Sequence, residues 1–145
     1  FTSSRKEIIM MLRQKSRPYL FSNSLSPSVA AASIKALDLL TQSFELVEKL
    51  HHNIHYFKKE MVNFGFDINP ETHAIIPIMI GDAELAQKMA ASLLTKGIYV
   101  IGFSFPVVPK GKARIRTQIS AAHTREDLDF AIEKFAESKS EFGLA

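Results

Sequence analysis

Residues 103–124 read FSFPVVPKGKARIRTQISAAHT, a turn-rich loop that runs into a segment of strict two-residue alternation. On an extended strand Lys112, Arg114, Arg116 and Gln118 fall on one face, and Ala113, Ile115, Thr117 and Ile119 fall on the other. A strand patterned in this way needs an apolar layer against one side and leaves the other open. The open side carries guanidinium groups, which are always charged and grip a carboxylate or phosphate through paired hydrogen bonds. No acidic residue occurs between Phe103 and Ala122, so no local counter-ion is supplied. From the residues alone two readings stay open: this face holds a small anion, or its arginines pair with acids elsewhere or lie solvated.

Taken in order, residues 4–16 place Ile8, Ile9, Met11 and Leu12 among Arg5, Lys6, Glu7, Arg13 and Lys15, an amphipathic helix that Arg17-Pro18 stops. Ser26 is suited to an N-cap with Pro27 at the first helical position, and a helix start of this kind offers free N–H groups to an anion. That helix runs to residue 40, with Val29, Ile34, Leu37 and Leu40 expected to face inward. After a break at 41–43, a second helix extends to Phe64 with Val47, Leu50, Ile54, Phe57, Met61 and Phe64 as a packing seam, and Gly65 stops it. Next come a short strand at 66–68, a turn at Asn69-Pro70-Glu71 and an apolar run at 74–80 that suits a strand buried on both faces. Pro77 places this run at a sheet edge or a bulge. A helix over 83–96 with Leu85, Met89 and Leu93 inward, a strand at 98–101 and the strand at 114–118 follow. Thr124 and Asp127 have the spacing of a capping box for a last helix that buries Leu128, Ile132 and Phe135. The expected fold class is α/β: a small, mostly antiparallel sheet with helices on one side, preceded by a long helical segment.

Composition narrows the function. With 145 residues the chain can bury one ordinary core, and 46% hydrophobic against 23% charged residues places it among globular chains. Eighteen basic against 15 acidic residues give a net charge of +3, too even for a dedicated nucleic-acid binder. No apolar run approaches the roughly 20 residues of a membrane-spanning helix. The absence of cysteine removes disulfides, thiolate metal sites and a cysteine nucleophile, and is compatible with a cytosolic location. His51 and His55 have one-turn spacing, but the other ligands zinc requires are missing nearby, so the expectation is no metal and a polar helix side. His123 lacks a nucleophile to activate and is expected to be structural.

The stretches RPYLFSNSLSP at 17–27, HAIIPIMIGDAELAQKM at 73–89 and PVVPKGKARIRTQISAAHT at 106–124 together resemble the C-terminal part of the α-oxoamine synthases. These are pyridoxal-phosphate-dependent enzymes of fold type I that join an amino acid to an acyl-CoA. The likeness runs along essentially the whole chain and is strongest to the branch that interconverts glycine plus acetyl-CoA and 2-amino-3-ketobutyrate plus CoA, a step of threonine breakdown. It implies that the cofactor lysine and the pyridine-binding residues lie upstream of Phe1, so that no catalytic residue lies in this fragment and the fragment alone is inactive. Arg116 would bind the substrate carboxylate. Phe21, Ser22 and Asn23 would belong to cofactor binding, with Ser22 and Asn23 reaching the cofactor phosphate of the other subunit in a homodimer that shares its active sites. Residues 1–25 would be the tail of the large cofactor-binding domain, 26–64 the interdomain helices and 65–145 the C-terminal small domain. The implied protein is cytoplasmic, with organelle targeting upstream left open, and has neither nucleic-acid nor membrane partners. Alternatives are another member of the family, of the 8-amino-7-oxononanoate or aminolevulinate type, or a non-catalytic anion-binding α/β module.

Overall fold

The structure is a computed structural model that describes residues 2–68 and 73–144. The turn expected at 69–71 lies outside the described residues. The chain divides into two compact units, Phe1–Ser43 and Phe44–Ala145.

The first unit is helical. It holds α1 (Lys6–Lys15), α2 (Arg17–Phe21) and α3 (Pro27–Gln42), with Arg17-Pro18 opening α2 directly after the α1 stop. None of these helices has a buried residue. Val29, Ile34, Leu37 and Leu40, expected to face inward, are 50%, 61%, 63% and 48% exposed. The 3.6-residue stripe is present, but among the described residues nothing covers it. An apolar stripe specifies that a helix wants a partner without showing that the chain contains one. Ser26 and Pro27 take the N-cap and first helical positions as expected, yet the Ser26 hydroxyl bonds the Ser28 hydroxyl at 2.8 Å and caps no backbone N–H.

The second unit holds α4 (Glu45–Asn63), β1 (Ile75–Gly81), α5 (Ala83–Thr95), β2 (Ile101–Phe103), β3 (Ala113–Gln118) and α6 (Arg125–Glu141). The three strands form one sheet in the order β1-β3-β2, with β3 central and antiparallel to both neighbours. Ala113, Ile115 and Thr117 are buried while Arg116 and Gln118 are exposed, so the alternation read from the sequence holds. Ile76 and Ile78 lie opposite Thr117 and Ile115, and with Ile54, Phe57 and Met61 of α4, Met89 and Leu93 of α5, and Leu128, Ile132 and Phe135 of α6 they make one core. Each such side chain contributes about 1.5–3 kcal/mol relative to exposure. Phe66 meets Phe135 edge to face with ring centroids 6.0 Å apart.

β1 is an edge strand, which accommodates Pro77, and its register shifts further on, between Met79 and Gly81. The expectation that its run is buried on both faces is corrected: only Ile76 and Ile78 are fully buried, because helices cover one side of the sheet. Two other strand expectations shrink. Residues 66–68 give a single bridge, Ile68 to Ile78, and the strand expected at 98–101 begins only at Ile101. In both places a helix end has taken the backbone donor. Phe66 N–H bonds the Met61 carbonyl and Ile98 N–H bonds the Leu93 carbonyl, so neither residue can join a ladder. Gly65, at φ 77°, makes the first of these reversals, and Lys139 Nζ donates to the Phe64 and Gly65 carbonyls at 3.0 and 2.8 Å.

Candidate functional site

The open face of the sheet is lined by the residues that alternate with the core. Cross-strand pairing sets Arg116 between Pro77 and Ile101, and Arg114 between Met79 and Phe103. With the β2–β3 loop, which carries Val107, Val108 and a cis Phe105-Pro106 bond, they enclose a cleft of about 460 Å³ that also includes His73 and Ile75. The Arg116 guanidinium carbon lies 4.6 Å from the centre of the Phe103 ring. Arg114 donates from Nε to the Lys112 carbonyl at 3.1 Å, which leaves its terminal nitrogens uncommitted. Among the described residues no acidic group is within ion-pair distance of either arginine. Among the described residues, then, neither arginine pairs with an acid, which leaves the anion-holding and solvated readings of the pattern.

His73 accepts a hydrogen bond from Ile75 N–H through Nδ1 at 2.9 Å, which fixes its ring at the cleft mouth. The two-residue spacing announces neither His73 nor Phe103. For Phe103 the available signal was its odd-numbered place in an aromatic-rich approach to the strand, but only the β2–β3 register puts it beside Arg116.

A larger hollow of about 790 Å³ lies between α4 and α6 and is lined by Glu60, Asp129, Glu133 and Glu137. Four carboxylates disfavour an anion, so size does not make it the site. Within it the Tyr56 hydroxyl donates to Asp129, and that bond to a carboxylate, with burial, raises the phenol above its ordinary pKa. His51, His52 and His55 are exposed on α4, and among the described residues no group of three metal-ligating side chains converges. His123 is a structural residue: its Nδ1 accepts from Ser120 N–H at 3.2 Å, and its carbonyl accepts from the Asn53 amide at 3.1 Å.

In the first unit Phe21, Ser22 and Asn23 lie where α2 gives way to extended chain ahead of α3. All three are exposed, and Phe21 receives Arg17 over its ring at 6.0 Å. Ser22 N–H is spent on the Pro18 carbonyl, but its hydroxyl and the Asn23 amide make no bond among the described residues. Because Ser26 leaves the first turn of α3 uncapped, that turn presents N–H groups as well. The sequence from Ser16 to Leu37 contains no acid, so the donor set suits the phosphate of a cofactor.

A profile of the aminotransferase class I and II family matches residues 1–135. The chain belongs to that family. It is 51% identical over 99% of its length to the 2-amino-3-ketobutyrate coenzyme A ligase of Escherichia coli strain K12, of which it spans 36%. It is 45% identical, also over 99% of its length, to the 8-amino-7-oxononanoate synthase of Thermosipho melanesiensis, of which it spans 37%. A high-resolution structure of SPT with PLP superposes with a TM-score of 0.86 at 30% identity, covering 98% of this chain and 36% of that one. The chain thus spans about a third of the length of each, and the α/β fold expected from the sequence is the fold of the corresponding portion of the SPT structure.

Proposed function

We propose that this chain is the C-terminal part of a pyridoxal-phosphate-dependent acyltransferase that interconverts glycine plus acetyl-CoA and 2-amino-3-ketobutyrate plus CoA. The observation that carries the proposal is Arg116, a guanidinium on the open sheet face with no counter-ion among the described residues. An amino-acid carboxylate supplies the missing charge and matches the fork of donors. Holding that carboxylate fixes which bond at the α-carbon is presented for reaction, so Arg116 governs the type of chemistry as well as affinity. Pyridoxal phosphate, when bound, supplies the electron sink that makes an α-carbanion accessible. Ser22 and Asn23, with the uncapped start of α3, would hold its phosphate, and Phe21 would flank them. The same resemblance supports a homodimer in which these residues serve the neighbouring subunit, a cytoplasmic location, and a place in threonine breakdown. It also supports a division of the longer protein into a cofactor-binding domain ending near residue 25, linking helices over 26–64 and a small domain over 65–145.

The 8-amino-7-oxononanoate reading is favoured by the 45% identity to that synthase, and the 51% identity to the ligase outweighs it. The test uses the longer protein with its upstream part, loaded with pyridoxal phosphate and given glycine and acetyl-CoA. CoA release that depends on both substrates is expected. Release with alanine and a long dicarboxylic acyl-CoA instead would move the assignment to the second reading. In the same protein Arg116→Ala should raise KM for glycine by at least about tenfold, the scale of a charged hydrogen-bonded pair lost. An unchanged KM would remove the role assigned to Arg116.

A further inference from the structure

Phe103 lies on a three-residue edge strand, β2, which by itself is too short to hold a side chain firmly. Two contacts tie it down. The Gln87 side-chain amide on α5 donates to the Gly102 carbonyl at 3.0 Å. At Gly102 a Cβ would meet the Ala86 carbonyl oxygen at 3.0 Å, so α5 lies directly against this backbone and a side chain here would require it to shift. The backbone leading into Phe103 is thereby anchored to α5, while its ring, on the opposite face of the sheet, lies under the Arg116 guanidinium at 4.6 Å.

We infer that Phe103 is a positioning residue for substrate: its ring holds the Arg116 guanidinium by one face and leaves the N–H edge free to meet a carboxylate in the cleft. The inference rests on the carboxylate reading of Arg116 given above. An aromatic ring attracts a guanidinium through its face and engages none of the five in-plane donors. A carboxylate at the same place would also immobilise the arginine, but it would consume the fork. Diagonal neighbours across an antiparallel pair lie within reach of aromatic and long side chains, and Phe103 and Arg116 stand in that relation. The pairing also gives the guanidinium a partner at the cleft where no acid among the described residues holds it.

The experiment compares Phe103→Leu, Phe103→Tyr, a ring-fluorinated phenylalanine at the same position, Arg116→Ala and the Phe103→Leu/Arg116→Ala double variant in the longer, cofactor-loaded protein. The readouts are the dissociation constant of glycine by calorimetry and the separate kcat and KM values for glycine and acetyl-CoA. Phe103→Leu should weaken glycine binding and raise its KM by about three- to tenfold, the range of a partly desolvated cation–ring contact. The acetyl-CoA KM should not move, Phe103→Tyr should restore glycine affinity, and Phe103→Leu should add nothing in the Arg116→Ala background. The fluorinated ring keeps its shape and weakens the attraction, so it should reproduce the glycine defect even if the leucine variant fails to fold. Normal glycine affinity with the fluorinated ring, or a leucine effect that persists without Arg116, would overturn the inference while leaving the carboxylate reading intact. If Arg116→Ala binds glycine normally, the carboxylate reading itself falls and the inference with it.

Discussion

Asn53 is a polar residue set among the apolar positions of α4, one turn from Leu50 and Phe57, and 7% exposed. Its amide donates to the carbonyls of Ser120 and His123 at 3.0 and 3.1 Å, so a single side chain ties α4 to the turn between β3 and α6. Asn53→Ala removes both bonds and leaves the His123 carbonyl short of a donor, while the Ser120 carbonyl keeps only the His123 N–H, and should cost about 1–3 kcal/mol of stability, measured by chemical denaturation. Sequence analysis passed over Asn53 because its partners lie about 70 residues away and no local pattern encodes them. A polar residue on an apolar stripe was nevertheless a visible signal. Arg114 and Arg116 were legible for the opposite reason. Which face of a strand a side chain takes is fixed by its own position in the period of two, and needs no knowledge of what lies across the sheet.

At the scale of elements, helices were legible to within a few residues, apart from the short α2, where Arg17-Pro18 read only as a stop, and strand starts were not. The helix stops at Gly65 and Gly97 read correctly, but each reversal also claims the N–H of the following residue, and that claim belongs to no sequence pattern of the strand itself. The start of α6 was fully legible. The Thr124 hydroxyl accepts from Asp127 N–H, and the Asp127 carboxylate accepts from Thr124 N–H at 2.8 Å. Those bonds, the backbone one foremost, hold the Asp127 carboxyl below the usual carboxylate range. Lys96 does the same for Glu141 through a 2.7 Å pair that links α5 to α6, aided by the Ser92 hydroxyl. A carboxyl whose pKa is lowered on folding stabilises the fold above its unfolded value, about 4 for these groups, and loses that contribution as pH falls through the folded value. The thermal midpoint should therefore drop as pH falls below about 4. Asp127→Asn should separate from the parent protein at neutral pH and converge with it in acid, followed by circular dichroism.

For the whole molecule, the contrast between the two units decides behaviour. The second unit owns the entire described core, whereas α1, α2 and α3 bury nothing. Isolated helices of 10 and 16 residues are marginal in water without packing. Limited proteolysis of this chain should therefore remove residues ahead of about 44 and leave a resistant remainder, identified by mass spectrometry; an intact first unit after prolonged digestion would contradict this. The unit that begins at Phe44 holds α4 together with the sheet. Both α3 and α4 carry an apolar stripe, and only the fold reveals which stripe finds its partner inside the chain.

Arg116 hangs from β3, the strand bonded on both sides, rather than from a loop. Its backbone can move only when the sheet opens, and such opening is the most costly fluctuation a small domain has. On the role proposed for Arg116, damage to the core would consequently leave fewer molecules able to hold substrate, each holding it as tightly as before. A defect of this kind would appear as low yield and a normal KM, and a stabilising change elsewhere in the core would repair it without touching the cleft.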